Sequence, residues 1–192
     1  FFDENPPRLS LKDVKLGENY VIILNTNAGL WGYNIGDTVE FTSINPYRII
    51  VSGRIKHFIS AFGEHVIGKE VESAMIKACG TTKAEVVEFT VAPQIDGGEG
   101  GLPYHEWFVE FAKEPKDMAD FSKIIDDEMQ SQNVYYKDLI EGNILKPIVL
   151  SPLKKDGFID YMKSIGKLGG QNKVPRLSND RKIADQLSKL KA

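Results

Sequence analysis

Two stretches of period-two patterning decide what this chain can become. Val87, Phe89 and Val91 alternate with Glu88 and Thr90, and Trp107, Val109 and Phe111 alternate with Phe108 and Glu110. Successive side chains of an extended chain point to opposite faces, so both stretches predict half-buried strands, and their closeness predicts an antiparallel pair. The link between them, Asp96-Gly97-Gly98-Glu99-Gly100-Gly101, lacks the Gly-Lys-Ser/Thr ending of a phosphate loop and opens no helix, so it reads as a hairpin tip. The flanking sequence switches to the helical period. Ile67, Val71, Ala74, Met75 and Ala78 predict a helix that starts after Phe62-Gly63-Glu64 and ends near Gly80. Asp117 is placed to cap a second helix with Met118, Phe121, Ile124, Ile125 and Met129 on one face.

An irregular segment then runs through Tyr135 and Tyr136, and Pro147 to Leu150 reads as a strand. Asp156 is placed to cap a helix with Phe158, Ile159, Met162 and Ile165 inward, ended by Gly166 and the Gly169-Gly170 pair. A last helix starts at Asn179 or Asp180 and carries Ile183, Leu187 and Leu190. Upstream, Val21 to Asn25, Thr38 to Thr42 and Arg48 to Ser52 read as three strands of a meander, and His57 to Ala61 as a fourth extended piece. From residue 57 the order β-α-β-β-α-β-α-α predicts an α+β fold, a small mixed or antiparallel sheet covered by helices.

At 192 residues the chain is long enough for one core but short for two ordinary domains. Its 42% hydrophobic and 27% charged residues exclude wholesale disorder and a disulfide framework. A formal charge of -3 without a basic block removes the electrostatic footprint of nucleic-acid binding. Apolar runs such as Tyr20 to Leu24 are too short to span a bilayer, so no membrane partner and a cytoplasmic address are expected. The one cysteine, Cys79, lies in the first predicted helix and is expected to be a buried, inert thiol. The opening Phe1-Phe2-Asp3 and the Pro6-Pro7 pair suggest the interior of a longer polypeptide.

Three clusters at element boundaries carry polar chemistry. Leu30-Trp31-Gly32-Tyr33-Asn34-Ile35-Gly36-Asp37 leads through aromatics to a glycine turn that presents a carboxylate, and a carboxylate accepts two hydrogen bonds at once, as the paired hydroxyls of a ribose require. The second cluster runs from Val51-Ser52-Gly53-Arg54-Ile55-Lys56 through Phe62-Gly63-Glu64 to Lys69-Glu70-Val71-Glu72. The third, Gly169-Gly170-Gln171-Asn172-Lys173-Val174-Pro175-Arg176, describes a flexible arm with a point charge suited to neutralising a phosphate or carboxylate. His57, His65 and His105 share no ligand spacing, so structural or surface roles and no metal site are expected.

In this order the clusters resemble the adenylate-forming superfamily, most closely the auxin-responsive acyl-acid amido synthetases of plants and their bacterial relatives. Tyr33, Gly36 and Asp37 match that family's aromatic-Arg-x-Gly-Asp nucleotide motif. Gly53-Arg54-x-Lys56 with Phe62-Gly63-Glu64 and Glu70-Val71-Glu72 matches its hinge region, and Lys173-Val174-Pro175-Arg176 its C-terminal lysine loop. Asn34 stands where the motif has arginine, and Gly32 where relatives tend to carry one. The resemblance implies that residues 1–52 are the last strands of a large nucleotide-binding domain, 53–56 a hinge and 57–192 a mobile C-terminal domain. It implies that Asp37 holds the ATP ribose hydroxyls, with Tyr33 at the nucleotide and Arg54 supporting the ribose. Lys56 becomes the hinge residue and Lys173 the adenylating lysine, working with Mg2+.

The implied chemistry is adenylation of a carboxylic acid followed by transfer of the acyl group to an amine such as an amino acid. The phosphate loop of such enzymes lies on the large N-terminal domain, which becomes the expected partner; alone, the chain is expected to be inactive. An acyl-CoA synthetase, and a free-standing binding module that lost catalysis, are the competing expectations.

Overall fold

The computed structural model describes residues 6–55, 58–97, 101–170 and 172–192. It divides into two compact units, Phe1–Lys56 and His57–Ala192.

The first unit is an antiparallel meander of β1 (Asn19–Leu24), β2 (Tyr33–Ile44) and β3 (Tyr47–Arg54), with β2 in the centre. The expected glycine turn before Asp37 is not a turn. β2 runs straight through it, and the two strands fall out of step: Val21 pairs with Thr38 but Ile23 with Asn34. The extra residues on β2 form a bulge, possible because Gly36 takes φ +84°, which costs a residue without Cβ little, while the Asn34 side chain accepts the Gly36 N–H at 2.8 Å. Among the described residues of this unit Val39 and Phe41 are the buried apolar side chains, and the rings of Tyr20 and Tyr47 meet Phe41 edge-on. Ser52 donates its hydroxyl to Thr38 across the β2/β3 pair at 3.1 Å.

The second unit opens with a small hairpin of β4 (Phe58–Ile59) and β5 (Val66–Ile67), followed by α1 (Gly68–Thr82). β6 (Glu85–Gln94) and β7 (Tyr104–Lys113) form the expected antiparallel pair. α2 (Met118–Gln132) and α3 (Val134–Glu141) then cross over to β8 (Val149–Leu153), which lies parallel to β7 and completes a mixed sheet of order β6-β7-β8. α4 (Gly157–Ser164) and α5 (Lys182–Leu187) follow. The α+β class with helices on a small mixed sheet is thus as expected.

The sheet has a core on each side. Trp107 and Val109 of β7 pack with Val71, Ala74, Phe121 and Ile125 of α1 and α2. Phe108, pointing the other way, packs with Phe158, Tyr161, Ala184 and Leu187 of α4 and α5. Burying a side chain of this size is worth about 1.5–3 kcal/mol, and central β7 places one on each face. The expectation that β7 is half-buried therefore fails. Its second face is covered by α4 and α5, and Glu106 and Glu110 are buried with it.

Other boundaries also move. α1 starts at Gly68 because Val66 and Ile67 are taken by β5, and it runs through Gly80 to Thr82, where Lys83 stops it in the left-handed conformation. Tyr135 and Tyr136 lie in regular helix α3, capped by Asn133, whose side chain accepts the Tyr136 N–H at 2.9 Å. Asp117 caps α2 as expected. Asp156 does not cap α4 with its side chain: buried Glu110 of β7 takes that role, accepting the N–H groups of Asp156 and Phe158 at 2.9 and 3.1 Å. Ile159 faces outward. α5 begins at Lys182, whose N–H bonds the Asp180 carboxylate, whereas Asn179 accepts the N–H of Ser60. Cys79 is half-buried, and burial pushes its thiol above the ordinary value. The tip of the glycine link, residues 98–100, lies outside the described residues, as do Lys56 and His57. Among the described residues no helix is long and apolar enough to cross a membrane.

Candidate functional site

The meander brings two of the sequence-selected residues together. Asp37 and Arg54 are register partners at the end of the β2/β3 ladder, and Arg54 Nε stands 2.9 Å from Asp37 Oδ1. The contact is an ion pair at close range without the alignment of a hydrogen bond, and Oδ1, though buried, accepts no hydrogen bond. Arg54 is largely exposed, so screening holds such a pair to about 1 kcal/mol or less. The arrangement is a carboxylate oriented by a neighbouring cation with acceptor capacity unspent. The backbone repeats the pairing, since the Ile55 N–H donates to the Gly36 carbonyl at 2.8 Å. The bulge at Gly36 lies immediately before Asp37 on the same strand. Tyr33 opens the same strand, opposite Leu24, with half its surface exposed.

Lys173 belongs to the second unit. It is exposed, between Gly169 and Gly170, both at positive φ, and Val174, which is buried in the core beneath α4 and α5. After Val174 the chain runs along β6: Thr90 Oγ1 donates to the Pro175 carbonyl at 2.7 Å and Leu177 bridges to Val91. The expected flexible arm is thus anchored on the downstream side of the lysine. Lys56, the expected hinge residue, lies outside the described residues.

A buried polar network escaped the sequence reading. Glu64, fully buried, sits 2.8 Å through Oε1 from His105 Nε2 on β7 and accepts the Phe62 N–H through Oε2 at 2.8 Å. Burial alone would raise the Glu64 carboxyl; the hydrogen bond and charge of His105 outweigh it and hold the carboxyl below its ordinary value. Tyr136 stacks on His105 and donates to Asp126 at 2.6 Å, and Asn133 donates to the Glu64 carbonyl at 2.9 Å. These contacts fix the loop between β4 and β5 to the sheet and to α3. Their partners stand 41 and 69 residues apart, and no local pattern announces such a pairing. His105 thus has the structural role expected of it, while His65 lies in the loop at φ +48° rather than opening the helix.

On the other face, Glu106 is surrounded by Lys191, Ser151 and Arg181. Desolvation would raise its carboxyl, but these donors hold it below the ordinary range. Among the described residues no group of three or more His, Cys, Asp or Glu side chains could hold a metal ion.

Comparison with known proteins adds the wider context. A family model described as the GH3 family C-terminal domain matches residues 69–182, and one described as the GH3 family central domain matches residues 2–54. Indole-3-acetic acid-amido synthetase GH3.10 of Arabidopsis thaliana is 27% identical over 98% of this chain and 32% of its own length. Probable indole-3-acetic acid-amido synthetase GH3.1 of the same plant is 25% identical over 93% of this chain, again 32% of its own length. Among solved structures, GH3.15 acyl acid amido synthetase superimposes with a TM-score of 0.72 at 19% identity, over 96% of this chain and 36% of that one. The fold is therefore shared, and the chain spans about a third of the length of the relatives it matches.

Proposed function

Because this chain belongs to the GH3 family, we propose that it is the C-terminal part of an ATP-dependent acyl-acid amido ligase. In the first step an oxygen of a substrate carboxylate bonds to the α-phosphorus of ATP, the bond to pyrophosphate breaks, and an acyl-adenylate results. In the second an amine nitrogen, such as that of an amino acid, bonds to the acyl carbon and AMP leaves. The observation that carries the reading is the Asp37–Arg54 pair, a partly exposed carboxylate held in place by the cation beside its buried Oδ1. Such a group suits the two hydroxyls of a ribose, with Arg54 fixing the carboxylate and Tyr33 flanking the nucleotide. Lys173, exposed at the edge of an anchored segment, supplies positive charge to the phosphate as negative charge builds up there. Lys56, at the boundary between the two units, is the point about which they rotate between the steps.

Positioning and charge neutralisation do most of the work in such a reaction. Mg2+ is the usual companion of ATP, but the described residues offer no cluster that fits it, and no step is assigned to a metal here. Contacts to the triphosphate and the acyl pocket are assigned to a preceding domain, in keeping with the third of the relatives' length that this chain covers.

The test is made on the full-length protein carrying this chain. Pyrophosphate exchange into ATP that depends on an added carboxylic acid, with amide formation when amino acids are supplied, is the expected result. Thioester formation with coenzyme A instead of an amide would assign it to acyl-CoA synthesis. Absence of exchange with a broad panel of acids would leave a binding module.

A further inference from the structure

Lys173 is exposed, and the chain beyond it is held. The Val91 N–H donates to the Arg176 carbonyl at 2.9 Å, the Ser178 N–H donates back to the Val91 carbonyl at 3.0 Å, and Leu177 is fully buried. The segment lies as a short parallel bridge along β6, and one side chain ties that bridge to the rest of the unit. The Arg176 guanidinium donates through Nε to Glu72 of α1 at 3.3 Å and through Nη1 to the Phe89 carbonyl at 3.2 Å. The same Nη1 pairs with Glu88, and the guanidinium plane stands 4.6 Å above the Phe89 ring. One planar group with donors along its edges and a flat face thus joins the helix, the strand and the lysine arm; a lysine ammonium matches neither the spread of partners nor the stacking.

The charges matter as much as the geometry. Arg176 occupies Glu72 and Glu88, whereas Lys173, three residues upstream, has no ion-pair partner among the described residues. Three residues of chain span at most about 10 Å, comparable to the Debye length of about 8 Å at physiological salt, so carboxylates left unpaired there would compete with a phosphate for the Lys173 ammonium. We propose that Arg176 is a positioning residue for Lys173. It fixes the chain immediately downstream of the lysine and keeps two neighbouring carboxylates neutralised, leaving the ammonium for an anionic substrate group. This rests on the reading of Lys173 as the adenylating lysine.

The two half-reactions separate the possibilities, measured on the full-length protein as acid-dependent pyrophosphate exchange and as aminolysis of a presynthesised acyl-adenylate. Arg176→Ala should lower kcat of the first about tenfold, leave KM for ATP within roughly twofold and spare the second, since small displacements of a catalytic group cost rate more than binding. In a Lys173→Ala background the same change should have no further effect, because the two residues act as one unit. Arg176→Lys, which keeps the charge but loses the spread and the stacking, should still slow exchange several-fold; it carries the test if the alanine variant does not fold. An equal fall in both half-reactions would make Arg176 a structural residue and overturn the proposal, as would an undiminished effect without Lys173. If Lys173→Ala itself leaves exchange intact, it is the lysine assignment that fails.

Discussion

The two units reach stability by different routes. In His57–Ala192 a central strand is packed on both faces, and every buried carboxylate has partners: Glu64 with His105, Glu106 with Lys191, Ser151 and Arg181, Glu110 with the start of α4. In the first unit a three-stranded meander buries Val39 and Phe41, while Ile49, Ile50 and Val51 along β3 stay exposed on both faces of the sheet. A sheet with one thin apolar layer is marginal by itself, whereas one with a core on each side folds cooperatively. The contrast separates packing from chemistry: the candidate ribose contact sits on the thinly packed unit, and the candidate lysine on the outside of the unit with two cores.

The largest effect that tests this contrast is a core truncation. Phe108→Ala should cost the second unit about 3–5 kcal/mol in urea unfolding, because cavity and transfer terms add in a packed core. Hydrogen exchange in β1 to β3 should stay at its wild-type rate. Loss of protection in both units together would mean that they fold as one, and the comparison would be broken.

Next in size is Lys173→Ala in the full-length protein, expected to slow acyl-adenylate formation on the order of a hundredfold, about 2.7 kcal/mol. Since the lysine is exposed, the melting temperature should not move. Aminolysis of presynthesised adenylate should survive; if exchange also survives, the adenylating lysine lies elsewhere.

Asp37→Ala should weaken ATP binding by about 1–3 kcal/mol in titration calorimetry, the range for hydrogen bonds to a charged acceptor. An unchanged affinity would remove Asp37 from the nucleotide site and leave the pair with Arg54 as a surface contact.

The smallest effect is in pH dependence and concerns carboxylates of the second unit. Glu64 and Glu106 are held below the ordinary carboxylate value, so their contribution is complete above it and is lost as the pH falls through their lowered values. Glu70 runs the other way. Burial raises its carboxyl against the hydrogen bonds from Ile67 and Asn133, so its contribution is present below the ordinary value and disappears as the pH rises through the raised one. Glu70→Gln should therefore leave neutral-pH stability unchanged or slightly higher and steepen the acid limb of a thermal-unfolding profile. A flatter acid limb would contradict the assignment.

What the sequence revealed follows the distance over which each signal acts. The stripe Val71, Ala74, Met75 and Ala78 and the Asp117 cap depend on neighbours within a turn or two, and both stand as read. The pairing of β6 with β7 required only a short link. β7 misled because Glu106 and Glu110 look like a wet face, and the groups that satisfy them arrive 75 and 48 residues later. Gly36 misled in another way: positive φ identifies a position that favours glycine but does not distinguish a turn from a bulge. Of the candidate site, the clusters were visible as strings of residues. The meeting of Asp37 with Arg54 rests on the β2/β3 register, which shifts twice between the Ile44/Tyr47 turn and this pair, and the Glu64–His105 pair rests on the whole sheet, so neither was legible.

Buried Val174 sets a limit on how far Lys173 can travel. The alpha carbon of the lysine is one peptide, about 3.8 Å, from that of a residue locked in the core, and an extended lysine side chain adds roughly 6 Å. Its ammonium therefore sweeps a volume of radius about 10 Å around a point fixed in the second unit. The glycines upstream change the direction in which the charge is offered without enlarging that radius. Delivery to a phosphate becomes a question of where the whole unit is carried, and a longer glycine arm engineered before Lys173 would gain the lysine nothing in reach.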